Sequence, residues 1–111
     1  MGLRKEKLAD QVRDIISGYF TGNKLSDPRV EGVSITHVKL SPDLQIAHVY
    51  FRLFAGEQGI PEVTPGLKSC TPLLRKALAK ELRVRRIPEL IFLYDESIER
   101  GARIEKLLQK T

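Results

Sequence analysis

Few residues in this chain are placed to do covalent chemistry. His37 and His48 stand in stretches that read as strands, with no cysteine or acid at ligand spacing, so both read as structural or surface histidines. Cys70 shares helical spacing with Leu67 and Leu74 and reads as a small buried hydrophobe. Its basic neighbours could lower its pKa, but no base or acid partner stands near it in sequence. Asp95 and Glu96 are adjacent carboxylates, and after a strand such a pair more often opens a helix than performs acid–base work. No Walker-type loop and no dinucleotide fingerprint occurs. A non-enzymatic protein is expected, with no metal and no cofactor. Gly56-Glu57-Gln58-Gly59 has the Gly-x-x-Gly form of a loop that clamps a nucleic-acid backbone between two helices. Here it follows a strand and carries a negative charge, so it reads as a hinge or turn.

The chemistry that does stand out is electrostatic. Residues 1–65 hold eight Lys/Arg and eight Asp/Glu, a net charge of zero, so the whole-chain +5 lies in residues 66–111. Between Lys68 and Arg86 there are seven basic residues (Lys68, Arg75, Lys76, Lys80, Arg83, Arg85, Arg86) against one acid, Glu81. Leu67, Cys70, Leu74, Ala77, Leu78 and Leu82 recur at three- and four-residue steps and share one helix face. Lys68, Arg75, Lys76, Lys80 and Arg83 fall opposite. An apolar underside with a cationic top is a candidate phosphate-binding surface. The same pattern suits a solvated face; the concentration of charge in one stretch favours the binding reading.

The elements that must position this stretch follow from periodicity. Leu8, Val12, Ile15, Ile16, Tyr19 and Phe20 predict an amphipathic helix over about 3–20, closed at Thr21-Gly22-Asn23 by a glycine able to turn left-handed. Basic residues near its start oppose the macrodipole and suggest a frayed or partner-bound beginning. Asp27-Pro28-Arg29 reads as a turn. Val33–Leu40 and Gln45–Phe54 read as an antiparallel hairpin about a turn at Ser41-Pro42-Asp43-Leu44. Ala47, Val49, Phe51 and Leu53 should face helices, leaving Ile46, His48, Tyr50 and Arg52 on an open face. Ala55–Gly66, with three glycines and two prolines, reads as a loop. Leu90–Tyr94 reads as a third strand, parallel to the second or separated from it. A last helix is expected over about Glu96–Lys110, with Glu96/Arg100 and Glu99/Arg103 at i, i+4 and Gly101 inside it.

At 111 residues the chain is expected to form one domain, 1–111. No apolar run approaches about 18 residues, and the N-terminus lacks a signal-peptide core, so a membrane role is not expected. One cysteine suits a reducing cytoplasm. A sequence pI near 9.6 suggests an acidic partner. With three tyrosines, four phenylalanines and no tryptophan, base stacking is not expected to dominate, and phosphate contacts to folded RNA fit better.

Asp27-Pro28-Arg29, Ser41-x-Asp43-Leu44, Ala47-x-Val49-Tyr50, Arg83-x-Arg85, Pro88-Glu89-Leu90 and Tyr94-Asp95-x-Ser97 occur in an order that resembles the bacterial ribosome-binding factor A family over nearly the whole chain. The resemblance implies an α+β fold, a K homology domain of the second type, ordered helix, strand, strand, helix, kink, helix, strand, helix, with a three-stranded sheet and helices on one face. It replaces the Gly-x-x-Gly loop with an interhelical kink that aligns with Cys70, Thr71 and Pro72. Proline stands there where the family has glycine, so the second helix should end near Cys70 and a third begin at about Pro72. The implied function is a ribosome assembly factor. It would bind the free small (30S) subunit and its rRNA through Lys68, Arg75, Lys76, Lys80, Arg83, Arg85 and Arg86, and support late maturation and processing near the 5′-terminal rRNA helix. A link to growth in the cold is also implied, and a monomer is expected. Two other readings remain: a general single-stranded RNA-binding K homology module, and a protein-interaction adaptor using the open sheet face.

Overall fold

A computed structural model describes residues 2–22 and 24–96. The elements run α1 (Gly2–Thr21), a 3-10 turn (Pro28–Val30), β1 (Val33–Leu40), β2 (Ile46–Leu53), a second 3-10 turn (Glu57–Gly59), α2 (Ile60–Glu81) and β3 (Glu89–Tyr94). The three strands form one sheet in the order β1-β2-β3. The β1–β2 hairpin is antiparallel and β3 lies parallel to β2, pairing Ile46 with Glu89 through Phe51 with Tyr94. This settles the placement of the third strand, because α2 supplies the long crossover that parallel neighbours require. The expected helix from Glu96 to Lys110, with Glu99, Arg100, Gly101 and Arg103, lies beyond Glu96 outside the described residues.

Both helices cover one face of the sheet. Val38, Leu40, Ala47, Val49, Phe51 and Leu90 are buried on that face. They meet Val12 and Ile16 of α1 and Leu67, Cys70, Leu74 and Leu78 of α2 in one core. Leu74 and Leu78 are fully buried, each side chain stabilising the fold by roughly 1.5–3 kcal/mol. The α+β class, the hairpin and the inward set on β2 are as the alternation predicts.

Three local expectations are corrected. First, α1 does not close on a left-handed glycine. The positive-φ glycines among the described residues are Gly32 and Gly56, while Gly22 continues the helical pattern by donating its amide to Gly18 O at 3.0 Å. Second, Ile60–Gly66 is helix, not loop. Pro61 sits in the first turn, where a missing N–H costs little. Gly66 is present because Arg29 and Val30 of the first 3-10 turn press against the helix. A Cβ at Gly66 would lie 2.9 Å from Arg29 Cβ and 3.0 Å from Val30 Cγ1. Third, α2 does not divide at Cys70–Pro72. It runs unbroken from Ile60 to Glu81 with Pro65 and Pro72 inside it. Buried residues on both sides of Pro72 (Leu67 and Cys70 before, Leu74 and Leu78 after) share the one core. That burial outweighs the roughly 3 kcal/mol cost of an interior proline.

Candidate nucleic-acid interface

The basic surface is built on α2 and on the loop that follows it. Thr-Pro occurs twice in α2, seven residues apart, and both threonines use their hydroxyls alike. Thr64 Oγ1 donates to Ile60 O and Thr71 Oγ1 donates to Leu67 O, each at 2.7 Å. Such back-bonding bends helices, and each following proline withholds the amide that would close the next turn. The Cys70-Thr71-Pro72 segment is therefore a weakened turn within a continuous helix. Cys70 is buried and its Sγ donates to Leu67 O at 3.4 Å. Burial pushes its thiol pKa up and its basic neighbours do not lower it, which fits the small buried hydrophobe expected from the spacing.

Lys68, Arg75, Lys76 and Lys80 are all exposed on α2. Lys68 and Arg75 stand two turns apart, and Lys76 and Lys80 one turn apart, so the four span neighbouring rows of one side. Arg83 does not join that row. Leu82 takes extended backbone (φ −97°, ψ 138°) and ends the helix. Arg83, Arg85 and Arg86 are exposed on the α2–β3 loop instead. Arg75 bridges the two parts by donating from Nη2 to Ile87 O at 3.1 Å. Among the described residues, Lys68, Lys76, Lys80, Arg83, Arg85 and Arg86 form no ion pair and no side-chain hydrogen bond. These six cations are exposed and, among the described residues, unpaired. Lys68, Thr64 and Thr71 also edge an apolar groove of about 380 Å³ beside β3, lined by Leu67, Leu90 and Phe92.

Asp27-Pro28-Arg29 does more than turn. Asp27 caps the 3-10 turn by accepting from Arg29 N at 2.9 Å, and its Oδ2 pairs with Arg29 Nη2 at 2.6 Å. The Arg29 guanidinium, then the Arg29 amide, hold the Asp27 carboxyl below its usual range. Arg29 also donates to Ser69 Oγ at 3.2 Å, so the turn docks on α2.

On the open sheet face, the two histidines part company. His37 stacks on Tyr50 with ring centroids 4.1 Å apart and planes 10° apart. Its Nδ1 lies 3.6 Å from Asp95 Oδ2. Asp95 is buried and accepts from Thr36 Oγ1 at 2.6 Å. Thr36 is free to make that bond because β1 bulges between Ile35 and His37. No periodicity signals this bulge, so sequence reasoning missed the tie between the end of β3 and β1. His48 has no such partner among the described residues. No group of three described His, Cys, Asp or Glu side chains could hold a metal, and no described helix is long and apolar enough to cross a membrane.

A second cationic group was not legible as part of the site. Arg4, Lys5 and Lys7, on the first turns of α1, line the same groove as Arg83. Sequence placed them only as residues opposing the macrodipole, and α1 indeed has no acid in its first turn.

Comparison with known proteins gives one consistent result. A family model described as "Ribosome-binding factor A" matches residues 4–108. A protein named ribosome-binding factor A from Geobacter metallireducens is 41% identical over 107 residues, covering 96% of this chain and 90% of its own length. The crystal structure of ribosome-binding factor A from Thermus thermophilus superposes with a TM-score of 0.70 at 31% identity, covering 81% of this chain and 93% of that one. A homology model of the Thermus thermophilus factor, fitted into a cryo-EM map of its complex with 30S, superposes with a TM-score of 0.66 at 30% identity. It covers 84% of this chain and 97% of that one.

Proposed function

The chain belongs to the ribosome-binding factor A family, whose members are binding factors and not enzymes, and on that premise we propose that it binds the free small ribosomal subunit and supports its late maturation. That role includes processing of the rRNA near its 5′-terminal helix. The protein acts as a monomer in the cytoplasm, with a role in growth in the cold. The observation that supports this reading is the exposed set Lys68, Lys76, Lys80, Arg83, Arg85 and Arg86, with no internal partners among the described residues. With Arg75 alongside, these groups contact phosphate and position the protein; they do not read bases. The weakened turn at Cys70-Thr71-Pro72 lies within the same continuous helix, just before Arg75, Lys76 and Lys80.

The test is co-sedimentation with purified small subunits at stepped salt, for wild type and for Arg75→Glu/Lys80→Glu/Arg83→Glu. Wild type should pellet with free subunits and be stripped by salt, while the folded triple variant stays in the supernatant. If both proteins pellet alike, the basic surface is not the contact. If wild type fails to pellet, subunit binding is wrong for this chain, and an adaptor role for the open sheet face replaces it.

A further inference from the structure

Three parts of the chain that are far apart in sequence meet at one end of the molecule. They are the first turns of α1, the β1–β2 turn and the α2–β3 loop. Two depressions there, of about 380 and 720 Å³, share the same floor of Leu8, Leu44 and Val84. Arg4, Lys5 and Lys7 stand on the α1 side, and Arg83, Arg85 and Arg86 on the loop side. None of these six forms an ion pair or side-chain hydrogen bond among the described residues. The acid at the rim is Asp43. Its Oδ1 is already engaged by Ser41 Oγ at 2.7 Å and Gln45 N at 3.1 Å.

Leu44 is the second observation. It is the sole non-glycine residue with positive φ among those described, at 61°, and the residue is 40% exposed, lining the groove. A leucine in the left-handed region is uncommon, and such strain persists only where the surroundings enforce it. They do so here. Leu44 N donates to Ser41 O and Ser41 N to Ile46 O, both at 2.9 Å, while Ile46 N donates to Ser41 Oγ at 3.0 Å. The turn thus holds an apolar side chain outward, between two cationic walls, in a conformation that asparagine or glycine would adopt more readily.

We propose that this groove is a binding site for an unpaired RNA strand, with a base seated on Leu8, Leu44 and Val84 and the flanking phosphates held between the α1 and α2–β3 cations. The proposal rests on the RNA-binding reading above and adds a ligand class and a wall, α1, which that reading did not include. Charge complementarity points to a polyanion. The apolar floor selects an unpaired strand, because a duplex presents phosphates and hydroxyls and keeps its base faces stacked away. Arginine guanidinium planes supply stacking partners that the aromatic-poor groove lacks.

The experiment is a methyl NMR titration of the whole protein, labelled at Leu and Val, with a short oligouridylate. The Leu8, Leu44 and Val84 methyls should shift, and an RNA duplex of equal charge should not move them. Leu44→Asn removes the apolar seat and suits the left-handed backbone. It should bind the strand about tenfold more weakly, with a melting temperature unchanged or higher. Lys5→Ala/Lys7→Ala should lower the slope of log affinity against log salt by about 1.4, two single-strand phosphate contacts. Shifts confined to the groove beside β3, at the Leu67 and Leu90 methyls, or a Leu44→Asn variant that binds like wild type, overturn the assignment. So does displacement of the methyl signals by polyglutamate but not by the oligomer. If wild type pellets with small subunits while the groove methyls stay still, the groove falls and the subunit reading stands. If the strand seats in the groove but the protein does not pellet, the reverse holds.

Discussion

The two sides of α2 are made of the same helix and answer to different masters. Its underside, Leu67, Cys70, Leu74, Ala77 and Leu78, is buried against the sheet and α1. Its outer side, Lys68, Arg75, Lys76 and Lys80, is exposed, and apart from Arg75 its cations have no internal hydrogen-bond partners among the described residues. The underside sets stability, so a change of volume there is costly. The outer side adds little to stability, so its composition is free to serve a ligand. Seven positions of separation carry Thr-Pro from one turn to another on this helix, and the fold absorbs both prolines because the underside is continuous.

That contrast can be broken or sharpened by substitution. The largest effect belongs underneath. Leu74→Ala leaves a cavity in the centre of the core and should cost about 2–5 kcal/mol, a large part of the roughly 5–15 kcal/mol that holds such a domain together. Denaturant unfolding measures it, and a loss under about 1 kcal/mol would show that the helix–sheet interface is not the main core. Next comes Gly66→Ala. Alanine favours helix by about 1 kcal/mol over glycine, but its methyl would meet Arg29 Cβ at 2.9 Å. Overpacking costs about 1–3 kcal/mol, so the variant should melt lower than wild type despite its better propensity. A higher melting temperature would mean that the 28–30 turn yields easily.

On the outer side, Lys76→Gln should move stability by no more than about 0.5 kcal/mol. It should also reduce the salt slope of subunit binding by about 0.9, one phosphate contact. A changed melting temperature with an unchanged slope would reverse the roles of the two sides. The smallest effect concerns the turn docked on α2. The Asp27 carboxyl is held below its ordinary pKa by Arg29. A depressed carboxyl contributes stability above its unfolded pKa and loses it as pH falls through the folded one. The gap in melting temperature between wild type and Asp27→Asn should therefore be present at neutral pH and close in acid below the depressed value.

Periodicity made the inward-facing half of this molecule readable. Alternation on Ala47, Val49 and Phe51 and helical steps on Leu67, Leu74 and Leu78 each have a single physical cause, burial, and the buried residues are those. Signals with two causes misled. Gly66 and Pro65 read as a loop because both residues break helices, yet Gly66 answers a close approach by Arg29 and Val30, and Pro65 is tolerated under the same packing. Pro72 read as a boundary for the same reason. The neighbourhood of Arg4, Lys5 and Lys7 with Arg83 could not be read locally, since it depends on how α1 lies against the α2–β3 loop. The bulge that frees Thr36 for Asp95 leaves no compositional mark at all.

The parallel pairing of β3 with β2 also governs the order in which the molecule can assemble. β1 and β2 are joined by a short turn and can zip locally, on the microsecond scale of hairpins. β3 must wait for the entire length of α2 to be made and folded back, because Glu89 pairs with Ile46 across that crossover. Non-local closure of this kind slows folding. During synthesis the β2 edge therefore emerges unpaired and stays so until residue 94 has left the exit tunnel. A nascent chain stalled before Glu89 carries a hairpin with an open apolar edge, the state most prone to pair with another chain.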